Sequence, residues 1–122
     1  MSDSFDETAK RTKVELEDRI SSILVSIKSI KDDMLDLEKM ISVEDQFESI
    51  RLQSLLNKKS GELNELSDSL VLTSKSAWMK FNEVALRCAS QGVDPTLLEP
   101  IHVLCKKIDV IAVDLLCYSL GH

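Results

Sequence analysis

The chain has 122 residues, of which 43% are apolar, 30% are charged and only 4% are aromatic, and its formal net charge is −6. This length suits one ordinary domain, and the acidic balance argues against a nucleic-acid partner, whose backbone requires clustered Lys and Arg. The sequence contains no apolar run of about 18 residues, which a membrane-spanning helix would need, so we expect no integral membrane association.

The first predicted element is a helix over residues 6–41. Its apolar residues recur alternately four and three positions apart, the spacing of a helix that packs along one seam. The seam consists of Leu16, Ile20, Ile23, Ile27, Ile30, Met34, Leu37 and Ile41. Isoleucine fills both kinds of seam position between residues 20 and 30, which favours assemblies of three or four helices. We therefore predict that these four isoleucines contact other helices in an assembly.

The second predicted element is a helix over residues 43–91, with Ser42 as its N-cap and Glu44 and Asp45 in its first turn. The first seam ends here, which indicates a tight turn at residues 41–43, with one continuous kinked helix as the alternative. The apolar residues of this segment are Phe47, Ile50, Leu52, Leu55, Leu56, Leu63, Leu66, Leu70, Ala77, Phe81, Val84 and Cys88. A kink is possible at residues 60–61, but the leucines before and after Gly61 keep the same spacing and therefore lie on the same side of one helix.

The third predicted element is a helix over residues 95–120. Gly92 can end the preceding helix, Asp94 can cap the next one, and Pro95 fits its first turn. Because Pro100 follows closely, residues 95–99 can instead form a separate short turn, with the helix beginning near Pro100.

The third helix is apolar on most of its circumference. One side carries Ile101, Leu104, Ile108, Ile111, Leu115 and Tyr118, and the other carries Val103, Val110, Val113 and Leu120. One partner helix shields only a stripe of its neighbour, so we predict that the second side contacts a partner protein.

These elements predict an all-α fold, in which residues 1–122 form one helical domain. We expect a long antiparallel, coiled-coil-like hairpin of two helices, and a shorter C-terminal helix that packs on them as a three-helix bundle.

Few residues are candidates for chemistry. His102 and Cys105 lie three apart on one helix face, as a nucleophile with its base or as half of a zinc site would, with Cys88, Cys117 or His122 as further ligands. No acid partner or loop accompanies them, so we expect no catalytic residue, metal or cofactor, and we interpret the cysteines as small buried apolar groups. Trp78 is either a large core residue or an anchor for a partner.

The tail carries Phe81-Asn82, Gly92, Asp94, Ile101, Ile108 and Tyr118. In these residues it resembles small coiled-coil subunits of the lysosome-related-organelle biogenesis complex. The likeness is confined to residues 81–118 and needs insertions to align. It implies a helical subunit of a complex that acts in vesicle or organelle trafficking.

The sequence therefore predicts a non-enzymatic interaction or scaffold subunit that assembles by coiled-coil packing into a homo- or hetero-oligomer. The alternative is a small helical adaptor or chaperone that binds a client protein in a groove. The odd number of cysteines, without a C-x-x-C pair, and the polar start MSDSFDETAKR predict a cytoplasmic or nuclear protein without a signal peptide.

Overall fold

The structure, a computed structural model, describes residues 4–43 and 45–121. Across these residues the chain forms three α-helices, α1 (Phe5–Ile41), α2 (Gln46–Ser90) and α3 (Glu99–Leu120), with a short 3₁₀ turn at Pro95–Leu98 before α3. Helices α1 and α2 pack along each other as a hairpin, and α3 packs on both. The predicted all-α three-helix bundle is therefore confirmed.

Ion pairs between α1 and α2 establish that the hairpin is antiparallel. Lys80 Nζ lies 2.5 Å from a carboxylate oxygen of Glu15, and Lys59 Nζ lies 3.2 Å from one of Asp33. Residues early in α1 therefore face residues late in α2. The hydrogen bond from Lys80 also lowers the pKa of the Glu15 carboxyl.

Side-chain hydrogen bonds fix α3 against α2. The Trp78 indole Nε1–H donates to Asp109 Oδ2 at 3.0 Å, and the Ser119 hydroxyl bonds to the Asn64 side chain. Residues late in α3 thus face the middle of α2, so α3 runs antiparallel to α2 and parallel to α1.

The turn between α1 and α2 differs from the prediction. Ser42 is the C-cap of α1, and its hydroxyl donates to the carbonyl oxygen of Lys39 at 2.7 Å. The N-cap of α2 is Asp45, whose carboxylate accepts the backbone N–H of Glu48 at 2.9 Å. The prediction of Ser42 as the N-cap was wrong because the charged Asp45 is placed to take the free N–H groups of the first turn. Glu44, which the prediction placed in the first turn, lies outside the described residues.

Helix α2 is continuous from Gln46 to Ser90 and passes through Gly61 without interruption. Leu56 and Leu63, on either side of this glycine, pack into the same apolar cluster. A glycine in a helix costs about 1 kcal/mol relative to alanine, and this packing outweighs that cost.

The link between α2 and α3 uses the residues that the sequence indicated. Gly92 has a φ of +65°, a conformation that glycine adopts without strain. The Asp94 carboxylate accepts the backbone N–H of Thr96 at 3.0 Å, which lowers the pKa of Asp94. The turn at Pro95–Leu98 is separate from α3, which begins at Glu99, as in the alternative with two elements.

The core divides into two adjoining clusters that together line the three-helix part of the bundle. The first comprises Phe5, Leu16, Ile20, Ala77, Val84, Cys88, Ile101, Cys105 and Ile108. The second comprises Ile23, Ile27, Met34, Leu63, Leu70 and Leu115. None of the described helices is both long and apolar enough to cross a membrane.

Because α3 ends beside Asn64 of α2, it covers only part of the hairpin. We call residues 35–41 and 46–60, which lie beyond it, the two-helix end, and the part where α3 packs on α1 and α2 the three-helix end. Leu52 is the one residue of the two-helix end that is fully buried.

Candidate protein interface

Helix α3 has a second apolar stripe on the side opposite its buried face. Its aliphatic side chains are largely exposed: Val103 by 51%, Val110 and Val113 by 58%, and Leu120 by 79%. Two sets of residues spaced seven apart build this outward stripe: Val103, Val110 and Cys117 in one, and Lys106, Val113 and Leu120 in the other. All six are exposed.

The helical repeat explains why the stripe faces outward. Ile101 and Ile108 are buried in the bundle. With about 3.6 residues per turn, a residue two positions later lies on nearly the opposite side of the helix. Val103 and Val110 occupy those positions. The structure therefore brings together four predicted contact residues, Val103, Val110, Val113 and Leu120, on one open face.

A shallow, open depression lies at the middle of the outward stripe. Asp109, Val110, Val113 and Asp114 line this depression of about 350 Å³. Lys107 and Asp114 lie along one flank of the stripe, seven residues apart. Among the ion pairs of the described residues neither of these two side chains takes part.

The predicted isoleucine contacts lie elsewhere. Ile20, Ile23 and Ile27 are buried against α2 and α3 of the same chain, and Ile30 is half-buried beside them. These residues are the seam of the chain's own three-helix bundle. The structure does not bring them together with the outward stripe, and their contact with a second chain stays a prediction.

Trp78 is half-buried at the junction of α2 and α3. Its ring packs edge-on against Phe81 and His102, with ring centroids 5.5 Å apart in both pairs. Its indole N–H donates to Asp109, which also accepts a hydrogen bond from the Ser74 hydroxyl. Both the apolar body and the polar edge of Trp78 thus serve to attach α3 to α2.

In the His102 and Cys105 pair, the thiol of Cys105 is fully buried. Burial, and secondarily the charge of Asp109, raises the pKa of the Cys105 thiol to about 11. The Cys105 Sγ–H faces the carbonyl oxygen of Ala77 at 3.5 Å. Since the thiolate is the nucleophile and the metal ligand, a protonated Cys105 is unsuited to both roles at neutral pH.

The other cysteines differ from one another. Cys88 is buried, and its Sγ lies 3.3 Å from the carbonyl oxygen of Val93. Cys117 is exposed, so the prediction of three buried thiols was wrong for this residue. It lies on the outward stripe, and its spacing of seven from Val110 was the signal that could have placed it there. The described residues contain no group of three or more side chains suited to hold a metal ion, and His122 lies outside them.

The two-helix end exposes a second set of apolar side chains. Phe47 is 87% exposed and Ile50 63%. Both belong to the apolar residues of the second predicted helix. They are exposed because Ile50 lies two positions and Phe47 five positions before the buried Leu52, so both lie on the side of α2 that faces away from the seam.

No family model, curated protein or solved structure matches the chain. The resemblance of residues 81–118 to subunits of an organelle-biogenesis complex therefore depends on the residues quoted for it. We infer function from the geometry of the outward stripe.

Proposed function

We propose that the chain is a non-enzymatic interaction subunit that assembles with other helices into a protein complex. The observation that carries this proposal is the outward stripe of α3. Five of its six members are apolar, they extend over most of a 22-residue helix, and all are exposed. Contiguous apolar patches on soluble chains commonly mark sites of protein association.

Energetic considerations support this role. Removing apolar surface from water contributes about 25 cal/mol per Å², so a helix placed along the stripe would gain free energy at each layer. The one polar member, Lys106, can lay its aliphatic part along the seam and keep its ammonium group in water. The free cysteines are in keeping with a reducing compartment such as the cytoplasm.

A groove at the two-helix end favours a second candidate, an adaptor or chaperone that binds a client. A cavity of about 350 Å³ lies between α1 and α2 there. Its apolar residues are Leu37 and Leu55, and Lys59 spans its rim to Asp33. An apolar client segment held in this groove would depend on Leu55. A Leu55→Ser variant that no longer suppressed aggregation of a model client, when the wild type did, would support the adaptor.

The proposed function is tested by site-specific photocrosslinking in the protein's native cells. A photoreactive residue replaces Val110 in the full chain, and the matched control replaces Ser29, which is exposed on the polar face of α1. We expect a discrete adduct of defined mass from position 110 and none from position 29. If position 110 gives no adduct while the chain is folded and expressed, the proposal is overturned.

A further inference from the structure

We propose that the occupant of the outward stripe is the same stripe of a second copy of the chain, packed antiparallel across a two-fold axis. This inference rests on the proposed function and deepens it by naming the partner. Three features of α3 support it: the register of the stripe, its charges and the depression at its centre.

The register of the stripe suits an antiparallel pair. When the second copy runs antiparallel and is centred on the point midway between Val110 and Val113, Val110 of each copy lies opposite Val113 of the other. The same arrangement places Val103 opposite Leu120. Every position of the stripe then meets another position of the stripe, as an interface between identical surfaces requires.

The polar members also favour the antiparallel arrangement. Lys106 faces Cys117 of the second copy when the helices are antiparallel. In a parallel pair Lys106 would face Lys106, and two like charges would share one seam layer.

The flanking charges are self-complementary in the same arrangement. Lys107 and Asp114 occupy equivalent positions seven residues apart on one flank of the stripe. In an antiparallel pair, the residues of this flank face those of the same flank in the second copy. Lys107 of each copy therefore meets Asp114 of the other, which gives two ion pairs from side chains that form none within the described part of the chain.

The depression lies at the proposed two-fold axis. Its apolar residues are Val110 and Val113, the two residues at the centre of the register, and its acidic residues are Asp109 and Asp114. In the antiparallel pair the two depressions face each other, and Val110 and Val113 of each copy pack against the same residues of the other copy across the axis. Leu116, which is 51% exposed beside the stripe, adds apolar surface on the other flank.

Light scattering after size-exclusion chromatography tests the pairing on the full chain. We expect a dimer at twice 13.7 kDa. The double variant Val110→Asp with Val113→Asp should weaken association by about a hundredfold or more, since four carboxylates would enter a desolvated seam. Val25→Asp, which changes an exposed valine on α1, is the matched control and should remain dimeric. Far-UV circular dichroism should report folded helices in both.

A charge exchange tests the register without touching the apolar stripe. Lys107→Asp alone or Asp114→Lys alone should weaken the dimer by about tenfold, because two symmetric pairs of like charges form. The double exchange, Lys107→Asp with Asp114→Lys, should restore wild-type association.

Disulfide formation tests the direction. In the antiparallel pair the two Cys117 residues lie about 11 positions apart along the axis, or about 17 Å, too far to bond. Lys106→Cys should form an intermolecular disulfide with Cys117 of the second copy under mild oxidation. Ready disulfide formation between the two Cys117 residues of the wild type would overturn the antiparallel arrangement.

The outcomes separate this inference from the proposed function. A monomer at all concentrations, or a dimer unaffected by the Val110 and Val113 changes, overturns the pairing proposed here. If crosslinking at position 110 then gives an adduct with a different protein, the proposed function stands. If it gives no adduct, both are overturned.

Discussion

The two ends of the bundle carry a similar apolar rhythm but differ in what covers it. At the three-helix end, Ile27 of α1 and Leu70 of α2 meet a third layer supplied by Leu115 of α3, and all three are buried. At the two-helix end, Leu52 alone is fully buried, and Phe47 is exposed to solvent. A seam spacing thus predicts which side of a helix is apolar, but a full core also requires enough helices to enclose it.

Several polar contacts of the two-helix end lie at the protein surface. The Asp45 cap, the Arg51–Glu48 pair and the bridge from Lys59 to Asp33 all lie there or at its border. Exposed ion pairs contribute only about 0–1 kcal/mol each. We therefore expect the two-helix end to open more readily than the three-helix end, with a lower local free energy of opening.

The largest effect should come from a charge placed in the three-helix core. Ile27→Asp would bury a carboxylate among Leu63, Leu70 and Leu115, and should lower the free energy of unfolding by about 3 kcal/mol or more. Val25→Asp, at an exposed position two residues away, should change it by less than about 0.5 kcal/mol. Urea denaturation followed by circular dichroism measures both. Equal stability of the two variants would show that the register of α1 is wrong.

Two equivalent leucine-to-alanine substitutions test the contrast between the two ends directly. Leu70→Ala and Leu52→Ala each remove a buried leucine from α2, one at each end. We expect a loss of about 4 kcal/mol for Leu70→Ala and about 2 kcal/mol for Leu52→Ala, because a site with fewer layers can relax into the cavity. The shifts of the denaturant midpoints give these losses in free energy of unfolding, provided that the unfolding curves of the variants have equal slopes. A larger loss at Leu52 would reverse the comparison.

Alkaline pH should act on the three-helix end through Cys105. The pKa of its thiol is raised to about 11 in the folded chain from an ordinary value of 9.0. A raised pKa means that the folded state holds the proton more tightly, so this stabilisation is complete below pH 9 and is lost as the pH rises through 11. The loss should be about 2 kcal/mol. The free energy of unfolding is measured at pH 8 and pH 11 for the wild type and for Cys105→Ala. Its decrease between these two pH values should be about 2 kcal/mol smaller for Cys105→Ala than for the wild type.

The smallest expected effect lies at the junction of the two ends. A Cβ added at Gly61 would meet no atom within 4 Å. Gly61→Ala should therefore stabilise α2 by about 0.5–1 kcal/mol and slow amide hydrogen exchange in residues 46–60. Gly92→Ala is the contrasting control, because a φ of +65° strains any side chain, and it should destabilise the chain. Exchange that stays unchanged in residues 46–60 would mean that these residues open independently of Gly61.

The sequence was sufficient for the three helices, for the core side of α1 and for the link before α3. The spacing of Leu16, Ile20 and Ile27 defined the buried side of α1, and Gly92 with Asp94 marked the link before α3. These signals are local, since each depends on residues within a turn or two. Ser42 and Asp45 are both good N-cap residues, and only the path of the backbone decides which of them caps α2.

The candidate site was less predictable. The outward side of α3 was predicted from the sequence, but the docking contact of α3 on α2 joins Trp78 and Asp109, two residues 31 positions apart, and no local pattern predicts it. The exposure of Phe47 follows from the helical repeat, because Phe47 lies five positions before the buried Leu52 and therefore about 140° away from it around α2.

The placement of Trp78 has a spectroscopic consequence. It is the single tryptophan of the chain, and it sits at the α2–α3 junction with its indole N–H bonded to a carboxylate. Its emission therefore reports the detachment of α3 and is blind to fraying at Phe47, whereas far-UV circular dichroism sees every helical residue. A melt recorded by both signals would resolve the two events in the unmodified protein, without any added label.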